Sequence, residues 1–267
     1  THKQPFFPNP SAAAHNSANT KTFGTAMPKP EFWRIPATNA AALNRADKLA
    51  DTLAERLHHI AERFPHAVFP SSLAVEDMVI TDQICRLGLP LRIITLNTGK
   101  LNTETEALIA AANAHYHTEI EVYRPQPEAA AAFERDFGMA SIYETVERRK
   151  QCCHIRKIEP LNRALADAPA WLTGQRRSQS STRSELAWEE HDRARHIAKF
   201  NPIFDWEEAD VWTYAQQHQV PLNDLYRQGY PSIGCEPCTR PVKLGEDIRA
   251  GRWWWESQSS KECGLHK

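Results

Sequence analysis

The sequence predicts an α/β fold: a parallel, twisted sheet flanked by helices. Three observations carry this. Short apolar, β-branched runs alternate with segments of helical period along most of the chain. Each apolar run delivers a polar turn, as the strands of a parallel sheet covered on both faces do. The 267 residues are 41% hydrophobic and 24% charged, enough apolar material for one large core.

The elements follow in order. Residues 1–38 are rich in Ala, Asn, Pro, Thr and Ser and read as a disordered lead-in. Residues 39–64 carry a helical period, with Leu43, Leu49, Leu53, Leu57 and Ile60 near one face. "HAVFPSSL" is a short strand running into a turn. "AVEDMVITDQICRLG" is a helix closed by Gly88. "LRIITLNTG" is a strand, "TETEALIAAANAHY" a helix and "EIEVYRP" a strand. "PEAAAAFERDFG" is helical, and so is "CCHIRKIEPLNRALADA", with Pro160 placed to bend it. "AWLTG" is another strand, delivering "QRRSQSSTR". "WEEADVWTYAQQHQV" is an amphipathic helix with Asp205 as its expected N-cap. Beyond Pro221 the chain is rich in Gly, Pro, Cys and Arg and loses its period.

Composition narrows the classes of function. A formal net charge of −1 gives no overall basic excess for nucleic acid, so any anion site must be local. No apolar run reaches the ~18–20 residues of a membrane span, and the N-terminal stretch has no signal-peptide core. The expected compartment is the cytoplasm, where thiols stay reduced. The six cysteines then point to metal or redox chemistry rather than to a disulfide framework.

Three loops leave predicted strand ends, where open parallel sheets bind ligands. "SSLAVED" (71–77) offers Ser71 and Ser72 hydroxyls and backbone N–H groups at a helix start, an anion cradle. "LNTGK" (96–100) brings Asn97, Thr98 and Gly99. "TGQRRSQSSTR" (173–183) gathers Arg176, Arg177 and Arg183, whose guanidinium forks suit phosphate and sulfate. Each loop alone reads as a solvated polar turn. Three together read as a nucleotide-like anion site.

The cysteines are more specific. Cys152 and Cys153 are adjacent, and Cys235 and Cys238 form "CEPC". Four thiolates hold zinc or an iron–sulfur cluster. Adjacent helical side chains point about 100° apart, which suits a broad cluster gripped at two corners better than a single ion. Arg240, after "CEPC", is expected near the sulfurs. Cys85 sits mid-helix among apolar residues and reads as a core thiol. Cys263 lies in a C-terminal segment with Arg249, Arg252, Lys261 and His266, cations that favour a nucleophilic thiolate.

"CCHIRKIEPL", "TGQRRSQSSTR", "GYPSIGCEPCTRPV" and "GRWWWE" followed by "KECGLH" together resemble the assimilatory sulfonucleotide reductases, in particular the bacterial adenosine 5′-phosphosulfate (APS) reductase branch. The resemblance runs from about Ala40 to His266. It implies an adenine-nucleotide alpha-hydrolase-like domain of the PP-loop type over 39–245 and a mobile catalytic tail over 246–267. It implies a [4Fe–4S] cluster on Cys152, Cys153, Cys235 and Cys238. Cys263 is then the nucleophile that takes the sulfonate from APS as S-sulfocysteine and releases AMP, and reduced thioredoxin frees sulfite. Lys157, Arg183, Arg249, Arg252 and His266 are implied to hold the phosphosulfate, with Ser71, Ser72, Asn97, Thr98 and Gly99 toward the nucleoside. Arg156 is left open between a role there and a surface position. No fused thioredoxin-like domain follows Lys267, so a separate thioredoxin is expected, and a homo-oligomer is possible within the family.

The rivals differ by residue. Reductases of the 3′-phosphorylated substrate, PAPS, mostly lack the two cysteine pairs, although some cluster-bearing enzymes use both substrates. A tRNA thiolase of the same fold lacks the terminal "ECGLH". A non-catalytic iron–sulfur or zinc module with a redox-sensing tail leaves "QRRSQSSTR" unexplained.

Overall fold

The structure, a computed structural model, describes residues 31–179 and 183–257. The first helix, α1 (Ala40–Arg63), starts where the Asn39 side chain accepts the Ala42 N–H at 2.8 Å. Leu53, Leu57 and Ile60 are fully buried along its inner stripe. Leu43, expected on that stripe, is 45% exposed; it lies about 80° around the helix from Leu53. Residues 31–38, placed by sequence in the lead-in, lie against the domain. Phe32 bridges Lys243, and Trp33 packs 5.8 Å from Trp212 and 6.3 Å from Tyr226.

Five parallel strands follow: β1 (Val68–Pro70), β2 (Arg92–Leu96), β3 (Glu121–Tyr123), β4 (Ala170–Leu172) and, after β5 (Glu189–Asp192), β6 (Ile197–Phe200). β5 runs antiparallel to β6 on the edge, and the order is β3-β2-β1-β4-β6-β5. The β5–β6 hairpin was absent from the sequence reading, because "EEHD" carries no apolar residue to mark a strand. Both sheet faces are covered. Phe69 packs into the larger core with α1, α2 (Val75–Arg86) and α7 (Glu208–Gln217), whereas its neighbour Val68 faces Leu161, Ala164 and Leu165. Successive strand residues point to opposite faces, and each such burial is worth about 1.5–3 kcal/mol. Cys85 is half-buried against the larger core rather than sealed in it.

The remaining helices are α3 (Thr103–Tyr116), α4 (Pro127–Phe137), α5 (Val146–Cys153) and α6 (Glu159–Ala164). α5 and α6 are joined by a π-helical turn, His154–Ile158, in which Glu159 N–H reaches back to the His154 carbonyl. The distortion expected at Pro160 is thus a widening of the turn just before it. The N-cap of α7 is Glu207, in a reciprocal capping box with Asp210, not Asp205. Asp205 is taken by Arg56, which grips it through two 2.7 Å hydrogen bonds. Among the described residues, no helix is long and apolar enough to cross a membrane.

Candidate active site

β1 and β4 are adjacent, yet the chain builds outward from them in opposite directions, β2 and β3 on one side and β6 and β5 on the other. Their carboxyl ends form a topological switch point, where such sheets bind ligands. A cavity of about 270 Å³ opens there. Ser71, Ser72 and Thr98 line it, and so do Lys157, Arg183, Arg249 and Arg252, so seven of the residues expected from sequence meet in one place.

The loop after β1 departs from expectation. Its donors are already used: Asp77 Oδ2 accepts the Ser72 N–H at 2.6 Å and the Ser72 hydroxyl at 2.5 Å. The loop is therefore a seat for its own carboxylate rather than a vacant anion cradle. Burial pushes the Asp77 carboxyl up to about 6, against the lowering effect of Ser72. Gly174 makes this seat possible, since a Cβ there would lie 2.0 Å from Asp77 Oδ1. Leu73 completes the turn at a φ of 62°.

The three arginines after β4 separate. Arg176 is buried and pairs with Glu76 at 2.8 Å. Arg177 donates to the Leu186 carbonyl at 2.8 Å and stacks over Phe204. Arg183 alone of the three lines the cavity, where it donates to Gln179. Asn97 and Gly99 are not in the cavity wall. Asn97 accepts the Gly99 N–H at 2.9 Å and donates to Glu106 at 3.0 Å, so both shape the loop after β2. Arg156, left open by the sequence, is buried; it donates to the Thr98 carbonyl at 2.8 Å and pairs with Glu134, clamping that loop.

Beside the first cavity lies a smaller one, lined by Cys152, Cys153, Cys235 and Cys238. The end of α5 supplies the first two. A 3₁₀ turn (Glu236–Cys238) and its N-cap residue, Cys235, supply the others, held in place because the Glu236 N–H donates to the Lys100 carbonyl at 2.8 Å. Lys157, Cys235 and Trp253 line both cavities. Arg240 is not in this wall; it donates to the Pro241 carbonyl and approaches Glu246. The cations around the thiols are Lys100, Arg149, Arg156 and Lys157.

The donor set suits an iron–sulfur group. Burial pushes the Cys152 thiol up to about 11 and the Cys238 thiol up to about 12, so neither is a thiolate without added positive charge. Among the described residues, Trp253 Nε1 is buried without a hydrogen-bond partner on the wall of the same cavity, and sulfide is an acceptor. Among the described residues, no three His, Cys, Asp or Glu side chains converge on a single-ion site. Cys263 and His266 lie outside the described residues.

Signals the sequence reading passed over are Asp77, Trp253 and the "PSIG" turn. Gly234 in that turn lets the Arg252 guanidinium lie flat against the backbone, where a Cβ would stand 2.4 Å from Arg252 Nη2. A glycine directly before "CEPC" was the available clue.

Comparison with known proteins places the chain in a family. Residues 66–241 match the phosphoadenosine phosphosulfate reductase domain family. The chain is 54% identical to an adenosine 5′-phosphosulfate reductase of Neisseria meningitidis serogroup B, over 91% of this chain and 99% of that protein. It is 55% identical to one from Burkholderia cepacia, over 85% and 88%. A crystal structure of phosphoadenylyl-sulfate reductase from Candida auris superposes with a TM-score of 0.62 at 25% identity, covering 78% of this chain and all of that one. Candida glabrata FMN adenylyltransferase shares the fold at a TM-score of 0.54 and 14% identity, covering 87% and 82%. The chain is an enzyme of the phosphoadenosine phosphosulfate reductase family and belongs among its adenosine 5′-phosphosulfate reductases.

Proposed function

We propose that the chain reduces adenosine 5′-phosphosulfate to sulfite and AMP through a covalent intermediate on Cys263, with reduced thioredoxin as electron donor. The observation that carries this is the wall shared by the two cavities. Lys157 and Trp253 stand between the four thiols and a pocket ringed by Arg183, Arg249 and Arg252. A phosphosulfate is a compact polyanion, and clustered guanidinium and ammonium groups are what its oxygens require. The residues toward the nucleoside are Ser71, Ser72 and Thr98, with Asn97 and Gly99 shaping the loop behind them.

The chemistry follows. The Cys263 thiolate attacks the sulfonate sulfur, forming an S–S bond. The S–O bond to the phosphate breaks, and AMP leaves with its electron pair. Lys157, Arg249 and Arg252 neutralise the charge that gathers on the leaving phosphate, and His266 joins them from the tail. A thiolate of thioredoxin then attacks the Cys263 sulfur and sulfite departs with the bonding pair. The second thioredoxin thiol resolves the mixed disulfide and returns Cys263 to its thiol form.

Cys152, Cys153, Cys235 and Cys238 would hold the [4Fe–4S] cluster. When bound, it supplies positive charge that keeps four buried sulfurs as thiolates and raises the local field beside Lys157. Such chemistry requires a compartment that keeps thiols reduced, as the cytoplasm does.

Intact-protein mass after mixing with APS, without thioredoxin, tests the reading. The expected result is one sulfonate adduct that maps to Cys263, is lost in Cys263→Ser and is discharged by reduced thioredoxin. An adduct from the 3′-phosphorylated nucleotide alone would change the substrate. No adduct from either, in protein with its full iron content, would overturn the reading.

A further inference from the structure

Arg149 has no place in the chemistry above, yet it is one of the largest fully buried side chains in the protein. It sits on α5, one turn before Cys152 and Cys153. Its guanidinium makes a two-point fork to Glu256, Nε to Oε1 at 2.8 Å and Nη2 to Oε2 at 2.7 Å, with both side chains buried. The same guanidinium stacks 4.6 Å from the ring of Trp253, and Arg252, from the cation-lined cavity, lies 4.7 Å from the same ring.

Residues 253–256 are thus held from several directions. The Trp253 N–H donates to the Cys238 carbonyl at 3.1 Å, and the Glu256 N–H donates to the Trp253 carbonyl at 2.9 Å. Trp253 has a φ of 42°, the left-handed region that a bulky residue enters only when its surroundings dictate it. A buried ion pair is weak evidence for stability, because an apolar pair of similar volume often serves as well or better. What a bidentate fork adds is direction and register. Here it fixes the last described turn of the chain against the cysteine-bearing helix, seven residues before Cys263.

We propose that Arg149 and Glu256 are positioning residues: their buried fork anchors the root of the Cys263 segment to the cysteine-bearing helix and so sets where the nucleophile can reach. Seven residues span at most about 25 Å. A pinned root bounds how far from Glu256 the thiol can act, and a bounded reach raises its effective concentration at the bound nucleotide over that of a free tail. Because the fork starts from α5, loss of order around Cys152 and Cys153 would release the root as well.

This inference rests on the reading of Cys263 as nucleophile, so its test has two arms. Glu256→Gln keeps the shape and removes the charge, and Glu256→Asp keeps the charge. Single-turnover adduct formation at saturating APS, nucleotide affinity, iron content, and hydrogen exchange at Trp253–Ser257 are measured in each. The expected result for Glu256→Gln is adduct formation slowed at least tenfold and faster exchange at the root. Nucleotide affinity and iron content stay within twofold of the parent, and Glu256→Asp recovers part of the rate. A Glu256→Gln protein that matches the parent in both exchange and adduct rate would overturn the inference. So would one that loses nucleotide affinity and iron in proportion to its rate. A parent protein that forms no adduct would instead remove the reading of Cys263, and root exchange would still judge the tether.

Discussion

The two sides of the cation-lined cavity look alike in sequence and behave differently in space. On the side made by the loops after β1 and β4, most of the polar groups are spent within the protein: Asp77 takes the Ser72 donors, Arg176 is held by Glu76, and Arg183 is the one of its three arginines that borders the cavity. On the side made by the π-helical turn and the C-terminal stretch, Lys157, Arg249 and Arg252 all border the cavity. An arginine of a polar loop is lost to the cavity where a carboxylate of the fold holds it away, as Glu76 holds Arg176. Residue type nominates the cations, and the partners chosen by tertiary structure decide among them.

Arg176→Met should break the first side most strongly. It removes the ionic partner of Glu76 in a mostly buried site and leaves it the Gln179 amide alone, and a lost ionic partner of that kind costs about 3–5 kcal/mol. Chemical denaturation should show that loss, while APS affinity of the folded protein changes less than about threefold. Arg252→Met should do the reverse. Loss of a charge-assisted contact, worth about 1.5–3 kcal/mol, should weaken APS binding roughly tenfold to a hundredfold, as read by calorimetry. If both variants lose stability alone, the distinction between the two sides fails.

The third effect, a dependence on pH, concerns Asp77. Its carboxyl in the folded protein titrates near 6, above the ordinary 3.8, because it is buried. The folded state therefore binds this proton more tightly than the unfolded chain. Its contribution to stability is greatest below about pH 4 and falls as pH rises toward 6, by at most about 1.4 kcal/mol per unit. Asp77→Asn should remove that slope. The stability of the parent minus that of the variant should decline across this window in urea titrations and then level off. A difference that rises instead would mean that the Ser72 donors outweigh burial.

Much of the fold was legible because local signals agreed with the tertiary ones. "TETEALIAAANAHY" is α3 from end to end, and the apolar centre of "LRIITLNTG" is β2. The cysteine pairs were legible as a set, and they line one cavity. What escaped depended on partners far away in sequence. Asp205 failed as a cap because Arg56, on α1, claims it. Arg176 and Arg177 were grouped with Arg183, since nothing in "QRRSQSSTR" says that Glu76 or Phe204 will meet them. β5 is an edge strand whose charged residues, "EEHD", resemble a loop.

The π-helical turn at His154–Ile158 has a consequence for how this chain can change over generations. A π turn is an α-helix with one extra residue let into it. Removing a single residue from that stretch would restore an ordinary helix with the phase of α5 against α6 nearly unchanged, since the wide turn takes up the extra residue within one circuit. The sheet and its apolar covering would survive such a deletion, because Leu161 and Ala164 stay on the far side of it. Cys152 and Cys153 would keep their faces toward Cys235 and Cys238, while Arg156 and Lys157, which belong to the turn itself, would lose the placement that the wide turn gives them. The reading frame of this one helix is therefore a point at which the chemistry can be lost by a three-nucleotide deletion while the architecture persists.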